Sequence, residues 1–247
     1  MKRAVFIIAL LLLTSCAPNE ADFKSDVPTS PPTSPTTSPP TSPTTSPPTS
    51  PTTSPATEPP SEINLNVPFY PQAPDANWGI PWQEACEEAS VILAYYYATG
   101  QDLTKEKFKE EVYKLVDWEI ENYGSYEHTD ISQTVRMLES NFEFSNFLIL
   151  NDISVEDMKN ELAEGNVIIA PFAGRELGNP FYSGEGPYYH MLVIKGYDEE
   201  NFITNDVGTK RGENFIYPYR TIISAMHEWH DEDITLGAKK IIVVKPK

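Results

Sequence analysis

The sequence predicts an α+β domain over residues 62–247, with helices first and an antiparallel sheet after them. Three observations predict it. Apolar residues recur at helical spacing between Ala85 and Gly165. From Val167 onward the runs become short, apolar and strand-like. Before the domain, Thr29 to Pro60 offers no apolar side chain larger than alanine, so no core can form there.

Each element has its own signal. Ile63 to Tyr70 alternates loosely and contains Pro68, which suits a short edge strand or an extended lead-in. Ala85 to Ala98 reads as the first helix, with Gly100 placed to terminate it. Thr104 to Val116 reads as a second, with Phe108, Val112, Leu115 and Val116 on one face. Asp130 to Glu139 is the third. The fourth opens on the capping box from Ser154 to Asp157 and stops at Gly165. Strands are expected at Val167–Phe172, His190–Tyr197, Phe202–Asn205 and Ile241–Val244.

Composition excludes some functions. Lys plus Arg number 18 against 36 for Asp plus Glu, a net charge of −18. A nucleic-acid partner needs a cationic face to displace phosphate counterions, so none is expected. No run of 18 apolar residues exists, which argues against a multi-pass membrane protein.

The first residues read as an export signal. Lys2 and Arg3 precede the nine-residue apolar run Val5 to Leu13, too short to span hydrocarbon. Leu13-Thr14-Ser15-Cys16 resembles a bacterial lipobox, which implies removal of residues 1–15 and a lipid on Cys16. An ordinary cleaved signal with a free cysteine nearby is the alternative. Thirteen of the 23 prolines fall between Pro28 and Pro60, where the unit TSPPTSPT repeats three times. Proline fixes φ and favours an extended helix, so thirty-two such residues at about 3.1 Å each would reach roughly 100 Å. Residues 16–61 are thus expected to be a lipid-anchored stalk holding the domain outside the cytoplasm, in the cell envelope.

Cys86 is then the one cysteine left in the domain. It stands at the expected start of the first helix, where unpaired backbone N–H groups favour a thiolate. Glu87 and Glu88 oppose that field, so a cationic partner is needed. His190 opens an apolar strand after the loop Ser183 to Tyr189. Asn205 and Asp206 end the strand that follows it. A hairpin brings one of the two near His190: a two-residue loop favours Asn205, and a loop of three or five favours Asp206. His227 and His230 lie in His-Glu-Trp-His, one residue short of a zinc helix, and with Asp231 to Asp233 read as a solvated acidic face. His128 reads as a loop residue. Trp78, Trp82, Tyr188 and Tyr189 are candidates to line a cleft.

These residues carry a resemblance. Val67 to Pro74, then Trp78, then Ala85-Cys86-Glu-Glu-Ala-Ser90 resemble the opening of papain-like cysteine peptidases of the bacteriocin-processing, double-glycine peptidase-like type. Gly186 to Tyr197 and Phe202 to Thr209 resemble its histidine and acidic motifs. The resemblance implies a papain-like α+β fold acting on a peptide or protein substrate, with no cofactor and no metal. It implies Cys86 as nucleophile, His190 as its base, and Asp206 as the orienting acid, with Asn205 the alternative. It further implies Gln72 as an oxyanion donor beside the Cys86 backbone N–H, and Gln83 as a nearer rival. The departures are a Gln72–Cys86 separation of fourteen residues, Glu87 in place of a small residue, and Val207 after Asp206 where proline is common. His190 follows Cys86 by 104 residues, less than in plant papains.

Overall fold

The computed structural model describes residues 59–247. The expected export signal, Cys16 and all but the end of the proline-rich repeats lie outside the described residues.

The described chain is an α+β domain of five α-helices and one antiparallel sheet. Strand β1 (Ile63–Asn64) leads through irregular chain with turns over 72–76 and 79–81 to a 3-10 turn, Trp82–Glu84. Three helices follow, α1 (Cys86–Thr99), α2 (Lys105–Tyr123) and α3 (Ile131–Phe142). Then come β2 (Phe147–Asn151), α4 (Val155–Ala163), β3 (Val167–Ala173) and β4 (Tyr189–Tyr197). The chain closes with β5 (Asn201–Asn205), β6 (Phe215–Pro218), α5 (Tyr219–Ala225) and β7 (Lys240–Val244). Spatial order in the sheet is β2-β7-β3-β4-β5-β6, and β1 takes up the last two residues of β4.

Local chemistry sets the helix bounds. Gly100 adopts φ 64°, the left-handed conformation that ends α1 with little steric cost, and its N–H caps the Tyr97 carbonyl. Asp130 and Ser154 each form a reciprocal capping box with Gln133 and Asp157, starting α3 and α4 where the sequence places them. Helix α2 starts at its Thr104 cap as expected but runs on to Tyr123.

Helices cover both faces of the sheet, which is why every residue of β3 and β4 is buried. Val167, Ile169, Met191, Val193, Ile242 and Val244 pack with residues of α1, α2 and α3. Their alternating neighbours Ile168, Ala170, Leu192, Ile194, Ile241 and Val243 pack with Met158 and Leu162 of α4 and Ile222 of α5. Helix α1 lies directly against β4, so the nucleophile candidate at its first turn meets the strand that carries the histidine. No helix among the described residues is long and apolar enough to cross a membrane.

Candidate active site

The β4–β5 hairpin decides which acid meets the imidazole. Its turn is the short one: Asp198 N–H bonds the Asn201 carbonyl at 2.9 Å, and Tyr197 pairs with Phe202. That register alone favours Asn205. The ladder shifts by one residue between Ile194 and Gly196, however, and then pairs Ile194 with Thr204 and Val193 with Asn205. A bulge at Lys195 therefore corrects the expectation from loop length, because one extra residue flips the facing set. The Lys195 ammonium donates to Asn64 and Asn214 beside the bulge, and its carbonyl accepts Leu65 N–H.

Asp206 is the residue that results. Its Oδ1 lies 2.8 Å from His190 Nε2 and also accepts Gly208 N–H at 2.9 Å. Its Oδ2 accepts Asn179 at 2.8 Å, Tyr182 OH at 2.7 Å and Tyr217 OH at 2.6 Å. Burial alone would raise this carboxyl, but the His190 charge and the hydrogen bonds from His190, Tyr217 and Tyr182 hold it at about 2. Asp206 is thus a buried anion with five donors, built to keep one imidazole nitrogen protonated and the ring oriented. A Cβ on Gly208 would stand 2.9 Å from His190 Cε1, so this position leaves room only for glycine beside the ring. Asn205, by contrast, donates to the Val67 and Pro68 carbonyls and pins the lead-in chain.

Cys86 is the first residue of α1 and is buried. Its thiol donates to Glu87 Oε2 at 2.9 Å, and the Met191 backbone N–H bonds the sulfur. Burial pushes the thiol well up; the Glu87 charge and hydrogen bond add to that, and the Met191 N–H partly offsets it. Cys86 and His190 face one cavity of about 450 Å³. Among the described residues, no hydrogen bond joins their side chains, and His190 Nδ1 is the ring nitrogen left free by Asp206.

Gln72 and Gln83 both line this cavity. The Gln72 amide donates to the Trp82 carbonyl at 2.9 Å and the Gln83 carbonyl at 3.0 Å. Both of its hydrogens are therefore committed, and Gln72 braces the turn before Cys86 instead of offering a free oxyanion donor. Gln83 is exposed at the cavity and its side chain makes no hydrogen bond among the described residues.

Trp78 and Tyr189 line the cavity as the sequence suggests, and His128, Phe181 and Tyr182 join them. Trp82 instead packs edge-on against Tyr113, and Tyr188 accepts Ile234 N–H outside the cavity. His128 is a loop residue at φ 60°, with its ring stacked on Trp229 at 4.2 Å. His-Glu-Trp-His is non-helical. His227 Nδ1 bonds the Gly237 carbonyl, and Glu228 is buried against Lys240, so only Asp231 to Asp233 form the solvated face. The structure also brings in Glu87, Asn179, Tyr182 and Tyr217, which sequence reasoning did not place in the site. Their only signal was polar side chains in chain segments next to the motifs.

The Peptidase_C39 like family model matches residues 64–230. The chain belongs to this family. The match takes in Gln72, Cys86, His190 and Asp206 together. A crystal structure of a Bacillus anthracis protein described as a presumed C39-like peptidase is similar, with a TM-score of 0.51 and 17% identity over 75% of this chain and 98% of that one. At that identity the likeness is one of fold. No curated protein matches.

Proposed function

We propose that the domain is a cysteine peptidase that acylates Cys86 and hydrolyses the resulting thioester. The observation that carries this reading is the His190–Asp206 pair, fixed at 2.8 Å and opening on the same cavity as Cys86 at a helix start. Asp206 holds the Nε2 proton, which leaves Nδ1 to take the proton of the thiol and later give it to the leaving amine. Sulfur attacks the scissile carbonyl, and the Cys86 backbone N–H, which lacks an intrahelical acceptor, faces the developing oxyanion. Gln83 is the side chain free to supply a second donor. The membrane anchor is Cys16, with the stalk holding the peptidase outside the cytoplasm within reach of envelope peptides; the lipobox resemblance and the repeat composition support this part.

One observation favours a second reading. The thiol is buried and bonded to a carboxylate rather than to the imidazole, as in a catalytically silent binding module. Alkylation of Cys86 in the full chain separates the two. A peptidase predicts a thiolate that reacts at about pH 6 and slows at least about tenfold in His190→Ala. A thiol indifferent to His190 would point to the binding module.

A further inference from the structure

Glu87 is placed unlike any other acid of the domain. Adjacent helical side chains do not normally face each other, yet its carboxylate turns back onto the Cys86 thiol at 2.9 Å. Its other oxygen accepts Thr129 N–H at 3.1 Å, from the loop between α2 and α3. That loop is itself held by β4, because the Tyr189 hydroxyl donates to the Thr129 carbonyl at 2.8 Å. Glu87 is 1% exposed and lines the cavity. One of its two hydrogen-bond partners is therefore the nucleophile.

On the cysteine peptidase reading above, we propose that Glu87 is a catalytic residue that gates the nucleophile through its own proton. When Glu87 is ionised, the carboxylate accepts the S–H bond and holds sulfur as a thiol. When Glu87 is protonated, its O–H donates to sulfur instead. The S–H bond then breaks, an N–H bond forms at His190, and the thiolate sits between an imidazolium and a neutral carboxyl. The proton on Glu87 stays where it is, so one proton moves and charge is conserved.

The surrounding groups agree with this assignment. Facing Glu87 are Cys86 and Glu88 of α1, Glu119 of α2, and His190 and Tyr189 of β4; Glu84 stands next beyond Glu88, and Asp130 and Glu228 beyond Tyr189. Three acids lie on the helix side and one potential cation on the strand side. Burial pushes Glu87 up to about 7, against lowering by its hydrogen bonds and by His190. Its proton is therefore exchanged near neutrality.

The test is the rate of iodoacetamide alkylation at Cys86 against pH, read by mass spectrometry on the full chain beside Glu87→Gln. An ordinary thiol slows about tenfold per pH unit below its pKa. Wild type is expected to do the opposite and speed up as pH falls from about 8 to about 6, through the Glu87 value. Glu87→Gln keeps a donor and removes the charge, so it should react at least about tenfold faster than wild type at pH 8, with no rise toward pH 6. Coincident profiles for a reactive Cys86 would overturn the role of Glu87 and leave the peptidase reading standing. A Cys86 inert at every pH in both proteins would overturn both. If Glu87→Gln does not fold, the wild-type profile decides alone, since a rate that only slows as pH is lowered overturns the gate.

Discussion

Two groups of buried carboxyls flank the nucleophile, and they are satisfied in opposite ways. Asp206 receives five hydrogen bonds and stays ionised at about 2. Glu88 of α1 and Glu119 of α2 are equally buried, yet none of their four oxygens has a hydrogen-bond partner of good geometry. Burial raises both, and each lies within reach of other acids: Glu87 for Glu88, Glu88 for Glu119. Position in the fold separates them. Asp206 sits past the end of a strand among loops that bring in Asn179, Tyr182 and Gly208, whereas Glu88 and Glu119 lie between two helices and face each other instead of side-chain donors. Charge at Asp206 is a built feature of the site. Burial pushes the helix-side acids Glu88 and Glu119 up, so they stay neutral, while Glu87 beside them lies between the two extremes.

The largest expected effect comes from removing the charge at Asp206. Asp206→Asn should cut turnover by roughly 10²–10⁴, because the imidazole loses the partner that fixes its tautomer. It should also alter the acid response. The folded value lies below the unfolded one near 3.8, so the stabilisation is full above that range and is lost as pH falls toward about 2. Wild type should thus lose about 2 kcal/mol across that window, and the variant much less, by urea denaturation.

Glu119→Gln sharpens the other side. The folded carboxyl keeps its proton while the unfolded one releases it near the ordinary value of about 4.3. Stability from this group is therefore complete below that value and declines as pH rises. The amide removes this decline, so Glu119→Gln should be more stable than wild type by about 1–3 kcal/mol at pH 8, with little difference at pH 4. A variant less stable at pH 8 would mean that the pair is ionised and held by a partner.

Much of this was legible in the sequence. A glycine stop marked α1, a capping box and a glycine marked α4, α3 was read from Asp130 onward, and β3, β4, β5 and β7 lay within a residue or so of their apolar runs. Strands β2 and β6 and helix α5 were missed. Leu148 and Ile149 of β2 are exposed, so neither strand nor helix period shows in five residues. Helix α5 spans only seven residues straight after a strand. Cys86 and His190 fell in one cavity as the resemblance implied. The choice of Asp206 over Asn205 depended on a bulge at Lys195, which strand pairing in three dimensions creates and no local pattern announces. Glu87 was visible as a charge opposing the helix field, but its fold-back onto sulfur depends on Thr129, 42 residues away. Gln72 lines the cavity, but its amide hydrogens are committed to the Trp82 and Gln83 carbonyls, which no sequence pattern announces.

Peptide-bond cleavage through Cys86 is the proposed activity on which the roles of His190, Asp206 and Glu87 all depend. The most direct measurement incubates the full chain with a pool of denatured proteins at about pH 6 to 7 and reads new peptide termini by mass spectrometry, beside Cys86→Ala. Wild type should generate new termini, and the variant should lose at least about 10³-fold of that yield. Equal cleavage by both proteins, or none by a wild-type chain whose Cys86 alkylates readily, would contradict the proposed activity.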